Sequence, residues 1–299
     1  MLGKLFLFYF SVLNFLMLAV QAQNSVPQQG DIVRDRVGIE MVYVPSATFV
    51  MGVDSSRLLD LCEARDEPDA EQCVLDIQED TGATLTYTVK IPAYWIDRYE
   101  VTIKEFNEHC MASFELLSEP CADSISKYRP ELAESIEQPR VGISWERAMI
   151  FCAARGARLP TEVEWEYAAS GPDKFLFPWG NEFKSEYVHS SDDSYTPTKT
   201  YPVGSVAENQ SWIGVYDLSG NAAEWVDDRF ISRFLITLTL DEVYISIRDY
   251  DADIRRTIRG GSYDGRLWTL MTFYHESEQQ KIASEYIGFR CARHIYPGS

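Results

Sequence analysis

The chain has 299 residues and a formal net charge of −19, and 45% of its residues are hydrophobic and 13% aromatic. This apolar content is enough for a packed core and argues against a disordered chain. The negative charge argues against nucleic acid as a partner, because its phosphates would be repelled, and it also disfavours anionic membrane surfaces.

The first 22 residues have the layout of a secretory signal peptide. Lys4 provides a short positive region, and the segment from Leu5 to Val20 is almost wholly apolar. Val20 and Ala22 stand at positions −3 and −1 of a cleavage site before Gln23. We therefore predict a secreted or periplasmic protein with no membrane insertion after cleavage. The alternative is an N-terminal anchor, since the apolar segment approaches the length of a spanning helix.

The strand signals come first along the chain. Residues 23–30 are polar and are expected to form an unstructured leader. Short apolar runs at 41–45 and 48–52 predict two strands around a turn, and the alternating segment 86–96 predicts a third, broken at Pro92. The acidic segment 54–82 between them is expected to be a loop.

Six cysteines in an exported chain indicate three disulfides. Cys62 and Cys73 are 11 residues apart, as are Cys110 and Cys121, so spacing favours two local bonds and leaves Cys152 and Cys291. Fifteen connectivities remain possible for six cysteines. No C-x-x-C pair occurs, so neither a thioredoxin-like site nor a zinc ribbon is indicated.

Three helices have clear starting signals. Thr102 and Glu105 have the spacing of a capping box, and Ser144 is a suitable N-cap for a helix over 145–155. Thr161 and Glu164 form a second capping box, for a helix that runs to 169. Periodic signals are weak beyond this point. The pattern predicts an irregular α+β domain with little regular secondary structure.

Six sequence blocks carry a resemblance to a known family. In chain order they are Tyr94–Thr102 (YWIDRYEVT), Arg158–Ala168 (RLPTEVEWEYA), Phe177–Asn181 (FPWGN), Gly220–Trp225 (GNAAEW), Arg259–Ser262 (RGGS) and Gly288–Ala292 (GFRCA). Any one block is weak evidence, but the ordered set is specific. The chain resembles the formylglycine-generating enzyme, or sulfatase-modifying factor, domain family over a single domain at 31–297.

The resemblance implies a fold and one disulfide. The family has an irregular variant of the C-type lectin-like fold. The cysteine before its R-L-P-T-E run pairs with the cysteine of its G-F-R-C block, and these correspond to Cys152 and Cys291. The resemblance therefore implies the same pair that spacing leaves over.

The resemblance also implies a structural calcium ion. Its ligands would be the side chains of Asp217 and Glu224 and the backbone carbonyls of Gly220 and Ala222. A hard cation prefers oxygen ligands, and a tight turn can direct carbonyls and carboxylates to one point. The alternative is an Asx-capped turn in which Glu224 forms a salt bridge.

The family's catalytic chemistry does not transfer to this chain. Its members oxidise a substrate cysteine with copper held by two cysteines, and those positions are Gly265 and Leu270 here. Soft thiolates are the ligands that Cu(I) requires, so we expect no copper and no formylglycine formation. Ala223 also replaces the aromatic residue that usually lies in the pocket wall. We therefore assign no catalytic residue.

A second kind of pocket chemistry stays open near the same segment. Ser262, Asp264, Tyr274, His275 and Glu276 fall in the right region for acid–base work. A solvated loop is the favoured interpretation, because the sequence shows no convergent pair of groups. The four histidines lack a metal-binding spacing. No nucleotide-binding loop and no nucleophile elbow occurs.

Three functions remain compatible with the sequence. The first is a non-catalytic exported protein that binds a small-molecule, peptide or protein ligand. The second is a periplasmic, cysteine-independent oxidase of a secreted peptide or siderophore, as in pyoverdine maturation. The third is a structural component of an envelope secretion or motility complex.

Overall fold

The domain consists of short strands and helices joined by long ordered loops. The structure, a computed structural model, describes residues 26–64, 68–81, 86–114, 135–188, 199–230 and 254–295. Its strands are β1 (Ile32–Arg34), β2 (Glu40–Val44), β3 (Ala47–Met51), β4 (Tyr87–Ile91), β5 (Tyr94–Asp97), β6 (Ala223–Arg229), β7 (Arg255–Arg259), β8 (His275–Gln279), β9 (Ile287–Phe289) and β10 (Ala292–His294). Its α-helices are α1 (Ser55–Ala64), α2 (Ala70–Thr81), α3 (Ile103–Phe114), α4 (Trp145–Ala154) and α5 (Glu162–Ser170). Two 3-10 helices span Ser185–Tyr187 and Leu267–Leu270.

The strands form three sheets. One has the order β1-β2-β5-β10 and is antiparallel throughout, so the C-terminal strand pairs with a strand from the first third of the chain. The second contains β3 and β4, and the third has the order β8-β7-β6-β9 with a parallel pairing between β6 and β9. The predicted strands at 41–45 and 48–52 correspond to β2 and β3. The segment 86–96 divides into β4 and β5 around Pro92, which cannot donate to a ladder.

The predicted helix starts are confirmed. Thr102 Oγ1 accepts a hydrogen bond from Glu105 N, while the Glu105 carboxylate accepts from Thr102 N. Ser144 Oγ accepts from Arg147 N at the start of α4. Thr161 and Glu164 make both bonds of a capping box at the start of α5. Each helix begins at the residue directly after its predicted N-cap.

The expectation of a loop over 54–82 is wrong, because this segment contains helices α1 and α2. Each begins at an aspartate whose Oδ1 accepts a backbone N–H of the first turn: Asp54 from Arg57 and Asp69 from Gln72. The two helices pack together, and the Cys62–Cys73 disulfide links them. The predicted Cys62–Cys73 bond is thereby confirmed. The loop prediction rested on the many acidic residues of this segment and overlooked the few apolar residues that drive the packing of the two helices.

A buried core connects α3, α4 and the third sheet. The rings of Phe106, Phe151 and Phe289 pack against one another within it, and Trp225 is fully buried there. Trp165 of α5 is also fully buried but belongs to a second core. The predicted Cys152–Cys291 disulfide is confirmed and lies inside the first core. The predicted α+β class with little regular structure is also confirmed.

Some sequence predictions fall outside the described residues. The signal peptide at 1–22, residues 23–25 of the leader and the predicted Cys110–Cys121 bond are in this group. Within the described ranges, no helix combines the length and apolarity needed to cross a membrane.

Candidate functional site

Three carboxylates and one arginine are buried together where the 217–222 turn enters β6. We call Glu100, Asp217, Glu224 and Arg290 the carboxylate cluster. All four side chains are almost completely excluded from solvent. Asp217 has a left-handed backbone with φ of 58°, which aspartate tolerates better than most residues. Three acids against one base leave an excess of buried negative charge.

Glu224 and Arg290 form the central pair of this cluster. Arg290 Nη2 lies 2.6 Å from Glu224 Oε1, and Arg290 Nε lies 2.7 Å from Oε2. Trp165 Nε1 also donates to Oε2, at 2.8 Å. Burial opposes the charge on Arg290, but the facing Glu224 carboxylate raises its pKa overall. The bidentate geometry explains why both charges tolerate the interior.

Glu100 organises the turn from the other side. Its carboxylate accepts hydrogen bonds from Ala222 N at 2.9 Å and Asn221 Nδ2 at 2.7 Å. Burial, together with the nearby charges of Asp217 and Glu224, raises the pKa of Glu100 well above its usual range. Glu100 and Arg290 both lie in the family blocks, but sequence reasoning did not assign them to the site. For Arg290 the available signal was a charged residue inside the otherwise apolar run G-F-R-C-A, whereas Glu100 lies in a mixed run and had no such signal.

Asp217 is the member of the cluster whose charge is least compensated. Its Oδ2 accepts from Gly204 N at 2.6 Å, while its buried Oδ1 has no hydrogen-bond partner in the described part of the chain. Burial raises the pKa of Asp217 to about 6. An unpartnered carboxylate oxygen beside surplus negative charge is what a bound cation would complement.

The predicted calcium ligands therefore fit a cation in part. Asp217 offers an uncommitted oxygen, whereas both oxygens of Glu224 already face Arg290. No group of three or more His, Cys, Asp or Glu side chains arranged for a metal occurs in the described ranges. The predicted set has only two such side chains, because Gly220 and Ala222 would contribute carbonyls. Calcium at this turn stays a prediction.

The family's copper positions do not fit copper in this chain. Position 265 is a buried glycine, and a Cβ built there would lie 2.6 Å from Thr269 Oγ1 and 2.8 Å from the Ser262 carbonyl oxygen. Leu270 is fully buried. A residue with any side chain at 265 would require the backbone to move. The segment thus has no thiolate at either position, and at position 265 it has no space for one.

An additional element covers this segment. The apolar side chains of Leu58 and Leu61 from α1 and of Val74 and Ile77 from α2 belong to one buried cluster with Leu270. Helix α2 packs directly against the 3-10 helix Leu267–Leu270. We call α1 and α2, joined by their disulfide, the covering hairpin. It packs on Leu270, one of the two positions where the family's copper ligands would stand.

The five candidate pocket residues form three separate pairings. Ser262 Oγ accepts from Asp264 N at 3.3 Å, and Tyr274 OH donates to Glu276 Oε1 at 2.8 Å. His275 lies elsewhere, with Nδ1 2.9 Å from Glu162 Oε1. His275 and Glu276 are separated because neighbouring residues of strand β8 point to opposite faces of the sheet.

The His275 group includes partners that sequence reasoning missed. Glu162 also pairs with Arg259 Nη1 at 3.1 Å, and its backbone N donates to Asp228 Oδ2 at 2.6 Å. Burial is the main cause that raises the pKa of Asp228 to about 6. The spacing in the R-L-P-T-E block allows Arg158 to pair with either Glu162 or Glu164, and in the structure it pairs with Glu164. Nothing local in the sequence indicates that residues 162, 228 and 275 meet.

Relatives with similar sequences include active and inactive enzymes. The chain is 32% identical over 185 residues to the inactive C-alpha-formylglycine-generating enzyme 2 of Bos taurus, covering 54% of this chain and 52% of that relative. It is 25% identical over 311 residues to the formylglycine-generating enzyme of Bos taurus, covering 86% of this chain and 75% of the relative. The chain thus spans only about half the length of the inactive relative.

Solved structures support the same architecture. PvdO from Pseudomonas aeruginosa is similar with a TM-score of 0.64 and 21% identity, covering 90% of this chain and all of that one. Treponema denticola variable protein 1 has a TM-score of 0.59 and 18% identity, covering 90% of this chain and 99% of that one. At such identities the similarity establishes the fold alone.

A family profile described as the sulfatase-modifying factor enzyme 1-like domain matches residues 28–295. This match covers most of the chain and includes both the carboxylate cluster and the altered copper positions. The chain therefore belongs to the sulfatase-modifying factor enzyme 1-like family.

Proposed function

We propose that this chain is an exported, non-catalytic member of its family that binds a ligand or protein partner on a calcium-stabilised, lectin-like scaffold. The observation that carries the proposal is the packing at positions 265 and 270. A glycine without space for a Cβ and a fully buried leucine stand where the chemistry needs two thiolates.

Export is supported by two features. The first 22 residues match a signal peptide, and the Cys62–Cys73 and Cys152–Cys291 disulfides suit an oxidising compartment. Calcium at Asp217, Gly220, Ala222 and Glu224 would offset the excess negative charge of the carboxylate cluster. Its role would be to hold the turn, with no part in a reaction.

Mass spectrometry of a sulfatase-type cysteine peptide tests the non-catalytic assignment. Conversion of cysteine to formylglycine lowers the peptide mass by about 18 Da, because the CH2SH side chain becomes an aldehyde, CHO. We expect no such product with or without added copper, with the bovine formylglycine-generating enzyme as the positive control. A time-dependent mass loss with the purified chain would overturn the proposal.

A cysteine-independent oxidase is the second candidate, favoured by the His275–Glu162 pairing. A carboxylate that holds one ring nitrogen can orient an imidazole for proton transfer. Dioxygen uptake in the presence of secreted peptides or siderophores tests this candidate. Uptake that His275→Ala abolishes would favour the oxidase over the binding protein.

A further inference from the structure

A cleft of about 390 Å³ lies between helix α1 and the loop that follows α5. Helix α1 contributes Arg57, Asp60 and Leu61, and the loop contributes Leu176, Glu182 and Phe183. The size falls in the range of small-ligand pockets. Neither position 265 nor position 270 lines it, so this cleft is separate from the family's catalytic region.

Hydrogen bonds made by lining residues hold the walls of the cleft in place. Residues 57, 60 and 61 share one helix face because they are spaced i, i+3 and i+4. The Arg57 guanidinium donates to the carbonyls of Asp173 and Lys174, which fixes α1 against the loop. On the loop, Asn181 Oδ1 accepts from Leu176 N at 3.1 Å. A site fixed in this way loses little conformational entropy when a ligand binds.

The lining combines an apolar wall with acidic groups. Leu61, Leu176 and Phe183 provide the apolar part. Asp60 is exposed, and the structure gives it no ion pair with any described residue, while exposed Glu182 pairs only with Lys184 of its own loop. The Arg57 guanidinium keeps its positive charge, although its donors face the carbonyls of Lys174 and Asp173. With Asp60 and Glu182 the charged lining residues still carry a net charge of −1. The net charge of −19 adds a long-range attraction for cations.

We propose that this cleft binds a lysine or arginine side chain of a peptide or protein partner. The methylene stem packs on Leu61, Leu176 and Phe183, and the cationic head meets the carboxylates of Asp60 and Glu182. Long basic side chains bury their stems on apolar surface in this manner. The inference rests on the proposed binding function and names the chemistry of the partner.

Saturation-transfer NMR with two short peptides tests the assignment. The probes are an acetylated, amidated Gly-Gly-Lys-Gly-Gly peptide and its glutamate counterpart. We expect transfer to the lysine methylene protons and none to the glutamate peptide. The Asp60→Asn/Glu182→Gln double variant should bind the lysine peptide roughly fivefold more weakly, as expected for loss of two exposed ion pairs.

Glu63→Gln is the control for the Asp60 half of the double variant, because it removes one negative charge from α1 at a position outside the cleft. It should leave lysine-peptide binding unchanged, with thermal melts verifying that each variant is folded. Equal binding of the glutamate peptide, or equal weakening by Glu63→Gln, would overturn the cleft assignment. Neither result bears on formylglycine formation, so the two proposals can fail independently.

Discussion

The carboxylate cluster and the segment 262–271 are neighbours that differ in what they retain of the family's pattern. Hydrogen bonds join the 217–222 turn to residues 260–270. Two are between backbone atoms, from Gly220 N to Gly260 O and from Tyr263 N to Asn221 O, and in a third the Ser219 side chain donates from Oγ to Leu270 O. The cluster keeps each charged position of its motifs. The segment follows R-G-G-S with Gly265 and Leu270 where the family resemblance implies thiolates, and its residues 267, 270 and 271 pack against the covering hairpin.

This contrast separates the scaffold of the family from its chemistry. Gly261 illustrates the scaffold: its φ is 64°, and a Cβ there would lie 2.6 Å from the Thr269 carbonyl oxygen. The packing of this turn therefore requires a glycine at position 261, whether or not copper ligands follow it. The buried charges serve the same architecture by joining β6, β9 and the 217–222 turn.

The two disulfides give the largest expected difference between the regions. Cys152–Cys291 adjoins the carboxylate cluster and closes 139 residues, whereas Cys62–Cys73 closes 11 within the hairpin. Chain entropy predicts that Cys152→Ala/Cys291→Ala lowers the unfolding free energy by about 4–5 kcal/mol, and Cys62→Ala/Cys73→Ala by about 3 kcal/mol. Urea denaturation measures both. A larger loss from the hairpin pair would contradict the ranking.

Arg290→Met tests whether the buried charges are a single interacting unit. Removal of the arginine leaves Glu224 buried without its bidentate partner, and breaking such a pair costs about 3–5 kcal/mol. Arg266→Met, at an exposed position of the neighbouring segment, should change the free energy of unfolding by under about 0.5 kcal/mol. Similar small losses for both variants would mean that the cluster contributes little.

Calcium should stabilise the cluster and leave the hairpin untouched. An ion that binds only the folded state adds about 2.7 kcal/mol at a hundredfold excess over its Kd. Thermal melts in excess calcium and in chelator should therefore differ by several degrees, and Glu224→Gln or Asp217→Asn should shrink the gap. Identical melts in both conditions would remove the calcium assignment.

Asp228 gives the smallest expected effect and a pH dependence. Its pKa of about 6 exceeds the ordinary 3.8, so the unfolded state ionises first and this residue costs stability as pH rises from about 4 to 6. Asp228→Asn keeps an oxygen acceptor for Glu162 N. It should raise the unfolding free energy by about 1–3 kcal/mol at pH 7.5 and by less at pH 4.5. An equal difference at both pH values would contradict this reasoning.

Local signals made much of the fold predictable. Thr102, Ser144 and Thr161 each stand before a helix with the partner residues that a cap requires, and the structure contains those hydrogen bonds. The Cys152–Cys291 pair was implied by family resemblance and agreed with spacing. Helices α1 and α2 were missed because their apolar residues are sparse, and tertiary packing on residues 267–271 compensates for a weak local pattern.

The candidate site was predictable only in part, because its groups meet through folding. Asp217 and Glu224 lie within one turn and could be read together. Glu100 joins them from over a hundred residues away, and Glu162 reaches His275 across a similar distance. No periodicity or spacing in the sequence indicates these long-range contacts. They depend on how the segment after β5 and helix α5 pack against the third sheet.

Thiol reactivity of Leu270→Cys tests the central claim that the family's copper region is a packed core under the covering hairpin. Leu270 is fully buried, whereas the nearby side chain of Trp268 is only partly buried, so Trp268→Cys serves as the matched control. We expect the thiol at position 270 to react with a thiol reagent only after unfolding, and the thiol at 268 to react much faster in the native protein. Immediate reaction at position 270 in the folded protein would contradict the account.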